Sequence, residues 1–321
     1  MRALLTAAIG LFGLIGTVPT NAIVAGSPPD SPAARVDANT TSSAFSGVGA
    51  VLVSGVVVSG TLLTREHVLT AAHVVVNATP SQVRFQLNLG ATPVFVQARA
   101  IIRHPGFIGF GLPDPSNDLA IIVLDEPAPT NARSYSVWPT ALSAGQAATM
   151  VGYGGSANGD GSNPVPSDAA IKRVGTNALD SLRVGHDGSG LNQFFVFDFD
   201  GGGAPNSSGG PSLGNASETT YAVGDSGGPV LQQRAGRWQL VGINSFVTTF
   251  AGGPGTPGVF GSGGGGVLLS PYAPWIASVI ADTSTPGLDA ASQDIPLPAW
   301  ALAVLGAGLL APLVRRRRRL N

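Results

Sequence analysis

The stretch Gly224-Asp225-Ser226-Gly227-Gly228-Pro229 carries the reading of this chain. A serine stands between small, flexible glycine positions, with an acid just before it. That local sequence suits a nucleophile whose hydroxyl must stand clear of the backbone. The N–H groups of Gly224 and Ser226 can then converge on one point as an oxyanion hole. Gly, Asp and Ser are also the usual residues of surface turns, so the stretch alone leaves an ordinary turn open.

Upstream, Thr70-Ala71-Ala72-His73 follows the apolar pair Val68-Leu69, and Asn117-Asp118 opens the apolar run Leu119 to Leu124. The chain order is therefore His73, Asp118, Ser226. A serine hydroxyl is a poor nucleophile at neutral pH and needs an adjacent base. His73 can take its proton and later return it to a leaving amine, while Asp118 holds the imidazole in one tautomer. Asp114 competes for that role, but Asp118 directly abuts the apolar run that would bury it. His67, His104 and His186 lack the Ala-Ala-His context. Three motifs in this order distinguish the arrangement from the subtilisin and α/β-hydrolase orders. From about Ile23 to Ile280 the chain resembles the trypsin/chymotrypsin family of serine endopeptidases. The resemblance implies two six-stranded Greek-key β-barrels with the site in the cleft between them, a closing helix and protein or peptide substrates.

Composition agrees with an all-β fold. Charged residues make up 11% of the 321, against 44% hydrophobic residues, 45 glycines and 25 prolines. The net charge of −1 hides an acidic centre: six of the 17 basic residues, Arg2 and Arg315 to Arg319, lie near the ends, leaving 11 against 18 acids. No basic stripe there suggests nucleic-acid binding. Cysteine is absent, which excludes disulfides, cysteine metal sites and a cysteine nucleophile. Animal members of the family are typically disulfide-bonded, so this departure points to a bacterial branch. No histidine and carboxylate cluster has zinc spacing, and neither a catalytic metal nor a cofactor is expected. Asp198 and Asp200 read as one face of a strand, with calcium binding the alternative.

The first barrel is expected from short β-branched runs between about Ser46 and Leu124, and the second from Ala147–Tyr153, Ile171–Val174, Phe194–Phe199, Pro229–Gln232 and Trp238–Phe246. Pro271 to Ile280 reads as the closing helix, with Trp275 and Ile276 on its buried face. Gly154–Ser167 and Gly201–Asn215 read as enlarged surface loops. Residues 1–22 read as a signal peptide cut by signal peptidase, with a retained membrane anchor the alternative. Residues 281–294 read as a polar linker. In residues 295–321, Ile295-Pro296-Leu297-Pro298, an apolar helix and five arginines together resemble the C-terminal sorting signals of the PEP-CTERM kind. Pro-Leu-Pro stands where those signals commonly have Pro-Glu-Pro. This resemblance implies a sorting protease, a membrane contact through the segment, and delivery to the cell envelope, surface or extracellular matrix.

By the same family resemblance Thr220, six residues before Ser226, lies at the base of the pocket for the side chain preceding the cleaved bond. Being neutral, it offers nothing to Arg or Lys. Ser245-Phe246-Val247 resembles the pocket wall, narrowed by Val247 where the family has glycine, with Gly258 or Gly266 opposite. Small or medium uncharged residues are the expected preference. Ile23-Val24-Ala25-Gly26 resembles the family's mature N-terminus, whose freed amine pairs with the acid before the catalytic serine, here Asp225. Two other functions remain open: a catalytically weak trypsin-fold binding module, and a sorted matrix protein using the fold as a scaffold.

Overall fold

Val48–Val53 (β1) and Val56–Leu62 (β2) form a hairpin about Ser54-Gly55, both at positive φ, the conformation that lets a two-residue turn match the strand twist. The computed structural model describes residues 23–201, 203 and 206–284. His67–Thr70 (β3), Val83–Leu87 (β4), Val94–Arg103 (β5) and Ala120–Leu124 (β6) complete a closed six-stranded barrel in the order β1-β2-β3-β6-β5-β4. Its interior is filled by Val51, Leu62, Val68, Phe85, Ile122 and Leu124, among others.

The second half departs from expectation. Gln146–Gly152 (β7), Arg173–Leu179 (β8), Ser181–Val184 (β9), Asn192–Asp198 (β10), Pro229–Arg234 (β11), Arg237–Thr249 (β12) and Ser262–Leu268 (β13) make a seven-stranded sheet, ordered β8-β7-β11-β12-β13-β10-β9. It is not the closed six-stranded barrel the sequence suggested. Its edge strands β8 and β9 are consecutive in the chain, with only Asp180 between them. The segment bends at Asp180, so one half pairs with β7 and the other with β10. The two edges are thus joined by the chain itself rather than by a ladder of hydrogen bonds.

The loop 154–167 also differs from expectation. Gly154 to Gly159 is buried and Asp160 to Pro164 exposed. The buried half receives the N-terminal residues: Ala25 N donates to Ala157 O, and Val24, Ala157 and Phe199 pack together. The helix Ala273–Thr283 (α1) follows a single 3₁₀ turn, Ser270–Tyr272, and runs past the expected end at Ile280. Ile276 is buried and Trp275 half-buried. Among the described residues no helix is long and apolar enough to cross a membrane. The signal peptide 1–22, the linker beyond Ser284 and the C-terminal segment 295–321 lie outside the described residues.

Candidate active site

Strands β3 and β6 are hydrogen-bonded neighbours, with Thr70 opposite Ala120. Three residues after β3 ends comes His73, in a 3₁₀ turn; two residues before β6 begins comes Asp118. The pairing therefore brings the two out at the same end of the barrel. Asp118 is 1% exposed. Its Oδ2 lies 2.7 Å from His73 Nδ1, and its Oδ1 accepts the His73 backbone N–H at 2.8 Å. Ser245 Oγ donates to the same Oδ2 at 2.6 Å. A carboxylate so placed keeps the proton on Nδ1 and leaves Nε2 as the basic nitrogen. The ring of Phe110 lies against His73, with centroids 4.4 Å apart.

The competing groups are engaged elsewhere. Asp114 faces His186 at 3.3 Å and accepts Ser116 N–H. His67 is buried against Thr64 Oγ1, and His104 meets the Tyr272 ring edge-on.

Ser226 reaches this end of the barrel because Gly227 follows it. Gly227 has φ +80°, and a Cβ there would stand 2.1 Å from Thr70 Oγ1 and 2.8 Å from Ala71 N. Only glycine permits both the turn and that approach to the backbone leading to His73. Ser226 O accepts Ser59 N–H from β2 at 3.0 Å, and Ser226 Oγ lies 3.5 Å from Ser245 O. Gly224, at φ +99°, hands its carbonyl to Ser59 Oγ. Among the described residues, the N–H groups of Gly224 and Ser226 donate to no protein acceptor.

Residues 37–276 match the trypsin family model. The chain belongs to the trypsin family. Within it, "CLIP domain-containing serine protease B4" of Anopheles gambiae is 42% identical over 53 residues, 16% of this chain and 13% of that relative's length.

Trypsin-family membership gives the remaining geometry its context. Asp225 is fully buried and accepts N–H groups from Gly154 and Ala222, each at 3.1 Å, and from Ile23. Burial pushes its carboxyl up to about 7, against those donors and the charge of Arg173. A Cβ at Gly152 would fall 2.0 Å from Asp225 Oδ1, so that position must be bare for the acid to sit there. Ile23 is itself fully buried, and Ser156 Oγ donates to its carbonyl.

Thr220 is fully buried, its backbone paired with Val24. Ser245 is buried, while Phe246 and Val247 are half-buried on β12. The register sets Phe246 opposite Gly265 and Val247 opposite Gly264. Gly266 stands opposite Asn244 in the same ladder, and Gly258 lies before β13 begins. Tyr221, unremarked in the sequence, is buried in the core of the second sheet with Ile23, Phe195 and Phe197, and Val247 packs against that cluster. Its position directly after Thr220 is the only sequence signal it carries.

Proposed function

We propose that this trypsin-family chain is a serine endopeptidase in which Ser226 is the nucleophile, His73 the general base and acid, and Asp118 the residue that orients His73. The observation that carries this reading is the carboxylate of Asp118, buried and bonded at once to His73 Nδ1, His73 N and Ser245 Oγ. A carboxylate held by three donors fixes the imidazole's tautomer and orientation before substrate arrives. His73 Nε2 takes the Ser226 proton as Oγ attacks the scissile carbonyl. The oxyanion that forms meets the N–H groups of Gly224 and Ser226, which have no competing protein acceptor. Imidazolium then protonates the leaving amine, and water repeats the sequence to release the acid.

The neutral Thr220 and the narrowing by Val247 support cleavage after small or medium uncharged residues. Ile23, buried with its N–H on Asp225, supports activation by a cut between Ala22 and Ile23 during export. The C-terminal segment 295–321 is proposed to hold the enzyme at the membrane until a sorting protease releases it to the envelope, surface or matrix. Val247, where the family has glycine, favours the second reading, a binding module of trypsin fold. A fluorophosphonate, which reacts with an activated serine whatever the pocket, separates the two. The protease labels at Ser226, and Ser226→Ala abolishes labelling while the protein stays folded. A folded wild-type chain that does not label would overturn the proposal.

A further inference from the structure

Ser59, on β2, is fully buried, and each of its polar atoms is engaged. Its N–H donates to Ser226 O at 3.0 Å, and its carbonyl accepts from Thr70 Oγ1 at 2.9 Å. Its hydroxyl accepts the Tyr153 N–H and donates to Gly224 O, each at 3.0 Å. A backbone N–H can only donate, so the direction of this relay is fixed: the one hydroxyl proton goes to Gly224 O. Tyr153 directly follows β7. One side-chain oxygen therefore joins the first barrel, the end of a strand of the second sheet and the turn that carries Ser226.

That turn needs an outside hold. Gly224 sits at φ +99°, and a Cβ there would stand 2.7 Å from Gly154 Cα. The position must be bare, and a bare residue has no side chain to select one conformation. Asp225 is anchored through its carboxylate, on the N–H groups of Gly154 and Ala222. The Gly224 carbonyl receives a hydrogen bond from Ser59 Oγ alone among the described residues. Ser59 thus holds the carbonyls of both neighbours of Asp225, Gly224 and Ser226. Those two residues are also the ones whose N–H groups meet no protein acceptor.

We propose that Ser59 is a positioning residue of this site: its hydroxyl fixes the Gly224 carbonyl and so aims the N–H groups of Gly224 and Ser226 at the oxyanion. The proposal rests on the serine endopeptidase reading and adds to it a residue of the first barrel. An uncharged substrate carbonyl asks little of this aim, whereas the transition state, with charge on that oxygen, asks most. Without the hydroxyl, the Gly224 carbonyl is left buried and unpaired, which favours rotation of its peptide towards another donor. The loss should therefore appear in kcat and not in KM.

The test uses the full chain, a peptide amide, and a peptide ester with its thionoester, in which a weakly accepting sulfur replaces the carbonyl oxygen. Rates are taken per Ser226 titrated to completion with fluorophosphonate, so that unfolded protein does not count. Ser59→Ala should lower kcat on the amide about 10- to 100-fold with KM nearly unchanged. Its loss in kcat/KM should be large on the ester and much smaller on the thionoester. Thr61→Val removes another fully buried hydroxyl of β2, one without a partner among the described residues, and should leave the rates and the ester-to-thionoester ratio as in wild type. A Ser59 that only stitched the two halves together would lower the melting temperature and leave kcat and that ratio alone, and this result overturns the proposal. An equal fold-loss on ester and thionoester overturns it too. If Ser59→Ala does not fold, Ser59→Cys, which keeps only a weak S–H donor, must show the same fall in the ratio, and an unchanged ratio sinks the idea. A folded wild type that does not label is a different failure: it removes the protease reading, and this proposal with it.

Discussion

At the residue scale, the proposed chemistry turns on a single carboxylate. Asp118 accepts three hydrogen bonds, and each donor has a different consequence if lost. Asp118→Asn presents an amide where His73 Nδ1–H needs an acceptor, which favours the wrong tautomer. Its kcat should fall about 10⁴-fold. Ser245→Ala removes one bond to a charged group, worth about 1.5–3 kcal/mol, and should lower kcat about 10- to 100-fold with little change in KM. Steady-state kinetics on one peptide compares the two, and an equal loss in both variants would mean Ser245 does more than brace the carboxylate. Gly227→Ala tests the approach of Ser226 to the strand end that leads to His73. The new Cβ meets Thr70 Oγ1 and forces φ +80° on a residue that disfavours it. Strain of this kind is about 1–3 kcal/mol before the clash is counted, so melting temperature and activity should both drop. Unchanged activity would show that Ser226 does not depend on this contact.

At the scale of elements, legibility follows the side chains. The barrel strands and β7, β10, β11 and β12 announce themselves through β-branched and aromatic runs, and the motifs for His73, Asp118 and Ser226 stand at their ends. Strand β13 is silent, because Gly263 to Gly266 carry no side chains to show a period. Strand β9 is four residues long and half exposed, too short for a pattern. The bend between β8 and β9 is likewise invisible, yet it gathers acids. Asp180 accepts Asp198 N–H, Asp198 accepts Ser208 N–H, and Glu218 accepts Asp200 and Leu213 N–H. These bonds hold Asp200, Ser208 and Leu213 in place. Among the described residues no group of three or more such side chains is arranged to hold a metal. Desolvation, with the charges of Asp198 and Glu218, pushes Asp180 up to about 8, and desolvation raises Asp200 and Glu218 as well. An acid whose folded value is raised is neutral in the folded chain where the unfolded chain has already ionised. Stability is therefore retained below about pH 4 and lost as pH climbs through 8. Asp180→Asn should raise the melting temperature at pH 8 and leave it nearly unchanged at pH 4. A gain of equal size at both values would show that titration of Asp180 is not responsible.

At the scale of the whole molecule, the N-terminal segment docks within the second half of the fold. Ile23 to Ala25 run through the buried side of the second sheet, Asp30 and Arg35 pair at 2.6 Å, and Lys172, fully buried, pairs with Asp37 at 3.0 Å. While Ala22 is attached, Ile23 offers Asp225 only a neutral N–H, and burial holds that carboxyl at about 7. The uncleaved fold therefore loses stability as pH rises from about 4 through 7, because the unfolded chain ionises first. Cleavage after Ala22 replaces the amide by an ammonium. Its value is about 7.7–8.0 when free and rises beside a buried carboxylate. That pairing stabilises the fold below the free value and is lost as pH climbs through the raised one. A chain beginning at Ile23 should therefore melt higher than the same chain with one added residue, most clearly between pH 7 and 8. The gap should shrink towards pH 4, where Asp225 is protonated, and again above about pH 10, where the amine is neutral. On the proposed reading activity should follow the gap, since Asp225 precedes Ser226 and its turn carries the Gly224 and Ser226 amides. Parallel melting curves at every pH, or full activity with the added residue, would mean that the amine of Ile23 does not set the state of this site.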